Sequence, residues 1–224
     1  MPDLTFAVEG AQLVRFAATP MLAFKLRISN TDAVERIQNV LLTCQIQIES
    51  TRRRYRPDEQ NRLLDLFGEP DRWSQTLRAM LWTHASVMVP PFEDKTLVDL
   101  PVPCTFDFNV AATKYFHGLL EGEVPLNLLF AGTIFYQNDE GALQATRIAW
   151  SKGARYRLPV AVWKEMMDHY YPNHAWLCLE RGAFERLDQY KRTHGIPTWE
   201  RAVEELLSLD AAVLNANPAG ESSP

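Results

Sequence analysis

The chain has 224 residues, 46% hydrophobic and 23% charged, with a net charge of −5 and a pI near 5.6. That length and balance suit one large domain or two small ones with a sizeable core. An acidic chain with no dense basic stripe is a poor nucleic-acid binder, and no apolar stretch approaches the length that spans a bilayer.

Residues 4–9 alternate, with Leu4, Phe6 and Val8 on one side. Residues 21–29 alternate again, with Leu26 and Ile28 opposite Lys25 and Arg27. In the stretch 37–49 the second half is cleanest, with Cys44, Ile46 and Ile48 set against Gln45, Gln47 and Glu49. Period two with one polar face predicts antiparallel strands solvated on one side. Pro57, Asp58 and Glu59 then open a helix, because proline suits its first position and acids its positive end. Leu63, Leu64 and Phe67 form its apolar face and Gly68 ends it; a further turn or two is expected over 71–77. Strands are predicted at 81–89, 97–100 and 105–110, and a short helix at 111–120 with Tyr115, Phe116 and Leu119 inward. Residues 124–136 and 143–150 read as a hairpin around Asn138, Asp139, Glu140 and Gly141, and 156–158 as a short strand. A helix is expected over 159–171 with Val162, Trp163, Met166 and Tyr170 on one face, then a strand at 175–179. Two amphipathic helices follow at 184–191 and 198–207, the second with Thr198 as N-cap.

The expectation is therefore an α+β protein: an antiparallel β-sandwich with helical insertions and a helical C-terminal cap. One domain is assigned to residues 1–210, with the cap at about 159–210 and a disordered tail at 211–224. Phe6, Leu26, Ile46, Phe106, Leu128 and Phe130 are expected to meet in a single core.

Cys44, Cys104 and Cys178 lie far apart in apolar strand-like runs, with no C-x-x-C pair. An odd count is a poor disulfide framework, and buried thiols in a reducing cytoplasm are the simplest account. The N-terminus MPDLTFAVEG lacks the basic and apolar regions of a signal peptide. A cytoplasmic protein is expected, with no direct membrane insertion.

Catalytic signatures are hard to find. Ser86 and Ser151 lack the G-x-S-x-G turn. Asp107 is the polar side of an alternating stretch. Cys178 has no basic neighbour to lower its pKa. Glu165, Asp168 and His169 share part of a helix face, and His174 follows, but the spacing matches neither H-E-x-x-H nor the Glu-x-x-His of di-iron bundles. A solvated charged face accounts for them, so no metal or other cofactor is expected. The sharpest charge feature is the run Arg52, Arg53, Arg54, Tyr55, Arg56. It suits a phosphate, a base or an acidic protein surface, and equally a strand end paired with Asp58 and Glu59. Around the helix at 159–171, Trp163, His169, Tyr170, Tyr171 and Trp176 cannot all face one way, which predicts exposed aromatics at a groove or interface. Arg52, Arg53, Arg54, Arg56, Tyr170, Tyr171 and Trp176 form the candidate protein-binding set.

The runs LDLFGEP (64–70), PVPCTFDFNV (101–110) and MMDHYYPN (166–173) resemble a family of bacterial proteins of unknown function. Its genes often lie beside those of oxygen-tolerant uptake nickel–iron hydrogenases. The likeness covers nearly the whole chain. It implies a setting and no catalytic residue: an accessory, assembly or scaffolding role near a hydrogenase. Two functions follow as expectations. One is a non-catalytic, protein-binding accessory module whose partner is a hydrogenase or a maturation protein, a homo-oligomer also being compatible. The other is a small-molecule or metallocofactor-handling enzyme centred on Glu165, His169 and His174.

Overall fold

In the computed structural model the described residues are 2–31, 36–105, 110–138, 140–175 and 177–216, with side chains in the last stretch described as far as Leu209. The chain divides into two compact units, Met1–His174 and Ala175–Pro224. In chain order the first unit runs β1 (Leu4–Leu13), β2 (Met21–Asn30), β3 (Ile37–Ile48), α1 (Pro57–Arg62), α2 (Leu64–Phe67), α3 (Trp73–Thr76), β4 (Met80–Val89), β5 (Lys95–Pro103), α4 (Val110–Gly118), β6 (Glu123–Gln137), β7 (Leu143–Arg147), β8 (Gly153–Pro159) and α5 (Val160–Tyr170). The second unit contains α6 (Arg181–Thr193) and α7 (Trp199–Ala216).

All strand pairs are antiparallel. The smaller sheet has the order β1-β2-β5; the larger has β4-β3-β6-β7, with β8 also on β6. The long strand β6 pairs with β8 through its first half and with β7 through its second. The two sheets share one core. Phe6 of β1 is half-buried and stacks on Phe130 of β6, ring centroids 4.2 Å apart. Phe24 of β2 meets Trp82 of β4 and Tyr156 of β8 edge-on. Leu26, Ile46, Leu128 and Phe130 are buried in that core as expected. Phe106, the remaining test position, lies outside the described residues, as does Asp107. The architecture is the predicted α+β sandwich with helical insertions and C-terminal helices.

Period two wrote most of the strands. In β3 the buried residues Leu42, Cys44, Ile46 and Ile48 alternate with residues on the open face. Gly141 takes φ +78° in the β6–β7 turn, as that turn requires. Tyr115, Phe116 and Leu119 point inward from α4 and its end.

Of the strand expected at 105–110, residues 106–109 lie outside the described residues, and Val110 opens α4. One strand prediction fails. The described residues of 175–179 form no strand, and Cys178 is exposed rather than buried. An apolar pentapeptide becomes a strand only where a sheet edge accepts it, and among the described residues none pairs with it. Helix α7 is described through Ala216, and the rest of the expected tail, 217–224, lies outside the described residues. Among the described residues no helix is long and apolar enough to cross a membrane.

The cysteines give a direct check on this packing. Burial pushes the Cys44 and Cys104 thiols up to about 12, whereas Cys178 is exposed. An aromatic disulfide reagent at mildly alkaline pH is expected to label Cys178 rapidly in the native protein. Cys44 and Cys104 should react only on unfolding, because the thiolate is the nucleophile. Rapid native labelling of all three would contradict this core.

Candidate interaction surface

Helix α5 builds the most specific surface feature. It buries Val160, Trp163 and Met166, and Trp163 stacks on Phe116 of α4 with centroids 5.3 Å apart. Its last turn reaches the β1–β2 loop, residues 14–20. The Tyr170 hydroxyl donates to the Val14 carbonyl and accepts from the Ala17 N–H at 3.2 Å. His169 Nε2 lies 3.1 Å from the Arg15 carbonyl oxygen and donates to it in the Nε2-protonated tautomer. The His169 ring stands edge-on to Tyr170. At the base of the loop the Val14 N–H donates to the Met21 carbonyl at 2.9 Å. The loop backbone is thus held on both sides, and at its tip Phe16 is 99% exposed.

Tyr170 and Tyr171 are both half-buried, and Trp176 lies outside the described residues. The Tyr170 hydroxyl supports the loop that carries Phe16, a role its sequence position did not suggest. Phe16 itself was not singled out. Its signal was an aromatic residue in a short turn-like connection, after the alternation of residues 4–9 had ended.

The arginine run separates. The Arg53 side chain is only 8% exposed and pairs with Glu59, which is 1% exposed, at 2.5 Å. Arg53 also donates to the Glu121 and Glu123 carbonyls at 2.8 and 3.0 Å. Arg56 reaches outward to Glu121 at 2.6 Å, Arg52 lies 3.4 Å from Glu49, and Arg54 is exposed. Beside Arg53, the Tyr55 hydroxyl donates to the Ser50 carbonyl and lies 2.8 Å from the Tyr115 hydroxyl. Burial raises both phenols, Tyr115 to about 12. This is a buried polar junction joining α1, α4 and the start of β6.

The two halves of the candidate set do not meet. Val160, the first residue of α5, donates to the Gly122 carbonyl, between the two carbonyls that Arg53 holds. Tyr170 is the last residue of the same helix, roughly 15 Å further along its axis.

Glu165 and Asp168 are exposed on α5, and His174 Nδ1 lies 2.6 Å from the carbonyl of Pro172, two residues before it. With His169 turned to Arg15, these side chains form no common centre. Among the described residues no group of three or more His, Cys, Asp or Glu could hold a metal ion.

The second unit exposes apolar side chains of its own. Phe184 and Trp199 pair at 5.4 Å, Lys191 Nζ lies 5.1 Å above the Trp199 ring, and Leu207 and Leu209 are exposed along α7.

The model of a family of unknown function, DUF6084, matches residues 1–214, and the chain belongs to that family. No curated protein matches it. Solved structures similar to parts of it include the following two. A Bordetella pertussis protein designated ApaA is 14% identical, with a TM-score of 0.23, covering 70% of this chain and 93% of its own. The β-glucosidase 3B of Thermotoga neapolitana, solved with α-D-glucose, is 11% identical with a TM-score of 0.24, covering 70% of this chain and 17% of its own. Likeness at these TM-scores bears on neither the fold nor the activity of this chain.

Proposed function

We propose that this protein is a non-catalytic accessory module that binds another protein through the tip of the β1–β2 loop. The observation that carries this is Phe16, a large apolar side chain almost wholly in solvent on a loop pinned by His169 and Tyr170. An aromatic presented on a fixed backbone brings large buried area at little entropic cost on docking. The exposed residues Arg15, Ala18 and Thr19 of the same loop supply its surround. The neighbourhood of hydrogenase genes implied by the resemblance makes a hydrogenase or one of its maturation proteins the first partner to test.

The experiment is quantitative co-purification with the full chain expressed in its native host. Phe16→Ala is expected to reduce capture of the main partner by about 30-fold, as loss of a hot spot of about 2 kcal/mol would. The melting temperature should stay unchanged, since Phe16 touches no core. Tyr170→Phe, which removes only the hydroxyl, should weaken capture less. Unchanged capture by Phe16→Ala would remove the proposed surface. A partner unrelated to hydrogenase would remove the setting and leave the surface standing.

A further inference from the structure

The open face of the larger sheet ends in a second, unrelated feature. The Glu49 N–H donates to the Pro125 carbonyl, and Pro125 of β6 pairs with Arg157 of β8. In the neighbouring row Gln47, Asn127 and Arg155 lie side by side. Arg52, on the 3-10 turn Ser50–Arg52, closes the remaining side. The result is a groove of about 300 Å³ with Pro125, Leu126 and Tyr156 as its floor and Arg52, Arg155, Arg157 and Glu49 around it.

Its charge is unbalanced in a protein whose net charge is −5. Glu49 serves Arg52 at 3.4 Å, and Glu123, outside the groove, lies 3.9 Å from Arg157. Arg155 forms no ion pair among the described residues. Arg155 and Arg157 are two positions apart on one strand, so their side chains leave the same face about 7 Å apart. Guanidinium groups bind carboxylate and phosphate bidentately. The volume is at the small end of the range of about 300–1,000 Å³ for ligand sites.

We infer that this groove binds a small molecule bearing two oxyanion groups, carboxylate or phosphate, with Arg155 and Arg157 each taking one group. Arg52 closes over the ligand, and the Pro125 ring packs against the segment that joins the two groups. Nothing in this site depends on the β1–β2 loop.

The test is calorimetric titration of the full chain with citrate, with pyrophosphate and with a hexaglutamate peptide, at matched ionic strength. Saturable binding of citrate or pyrophosphate is expected, and the tighter of the two identifies the oxyanion. Arg155→Gln should weaken it by about tenfold or more, and the Arg155→Gln/Arg157→Gln pair further. Arg186→Gln, in α6, should leave it unchanged. Melting temperatures without ligand should match throughout, because all these side chains are solvated. No saturable binding of either small anion, or binding that the Arg155 and Arg157 variants leave intact, would overturn the site. Tighter binding of hexaglutamate than of both small anions would overturn the small-molecule assignment.

Discussion

Arg53→Ala is expected to lower the stability of the first unit by about 3–5 kcal/mol, because it leaves the Glu59 carboxylate buried without its counter-charge. For a unit of this size that corresponds to a fall in melting temperature of roughly 6–20 °C. Arg53 holds Glu59 and two carbonyls of the α4–β6 connection, and its guanidinium also lies over the Tyr55 ring. Glu59 in turn accepts the Leu120 N–H at 2.9 Å and the Arg56 N–H at 3.2 Å. Helix α1, the segment before it and the loop entering β6 are thus tied at one point. A double change to apolar residues, Arg53→Met with Glu59→Leu, should be less damaging than the sum of the two single changes. A loss below about 1 kcal/mol for Arg53→Ala would mean that the pair is effectively solvated.

The same carboxylate makes a pH prediction. Burial pushes the Glu59 carboxyl up, but the N–H groups of Leu120 and Arg56 and the Arg53 charge outweigh it, and the group sits below its ordinary range. A carboxyl lowered in the folded state adds stability above its unfolded pKa. That stability is lost as pH falls through the folded value. Urea midpoints taken from neutral pH down to about pH 3 should therefore fall more steeply for the native chain than for Glu59→Gln. Parallel curves would assign the acid sensitivity to other groups.

What was legible in the sequence was whatever local periodicity decides. Cys44, Ile46 and Ile48 alternate because β3 has one buried face, and Pro57 opens α1 because its missing N–H is harmless there. The pairing of the arginine run with Glu59 could also be read, since they are neighbours in the chain. Its burial could not, because the groups that enclose it, Leu120 and the Glu121 and Glu123 carbonyls, come from more than sixty residues away. Phe16 becomes a presented side chain only through Tyr170 and His169, which lie over 150 residues later. Arg155 and Arg157 join Arg52 only through the registers of β3, β6 and β8. The prediction at 175–179 failed for the converse reason: local apolar character was present, and among the described residues no strand pairs with it.

Gly132→Ala is expected to be as damaging as loss of the Arg53–Glu59 pair. Gly132 lies in β6 opposite Leu42 of β3 with φ +146°, a conformation that side chains rarely adopt. An added Cβ would meet the Leu41 carbonyl oxygen at 1.9 Å and the Leu41 carbonyl carbon at 3.0 Å. Both are backbone atoms of the neighbouring strand, so no side chain can rotate away. Relief requires β3 and β6 to separate where Val40 faces Ile134 and Cys44 faces Phe130, all four buried. It would also disturb the Gly132 carbonyl, which accepts from the Ile148 N–H at 3.0 Å. Backbone strain of about 1–3 kcal/mol and overpacking of similar size together predict a loss of about 2–6 kcal/mol. Gly10 is the matched control, since nothing lies within 4 Å of the Cβ it would gain. Gly10→Ala should change stability by no more than about 0.5 kcal/mol. Urea midpoints for the two variants, with soluble yield as a second readout where Gly132→Ala fails to fold, compare them directly. Equal midpoints would mean that β3 and β6 do not approach this closely in solution.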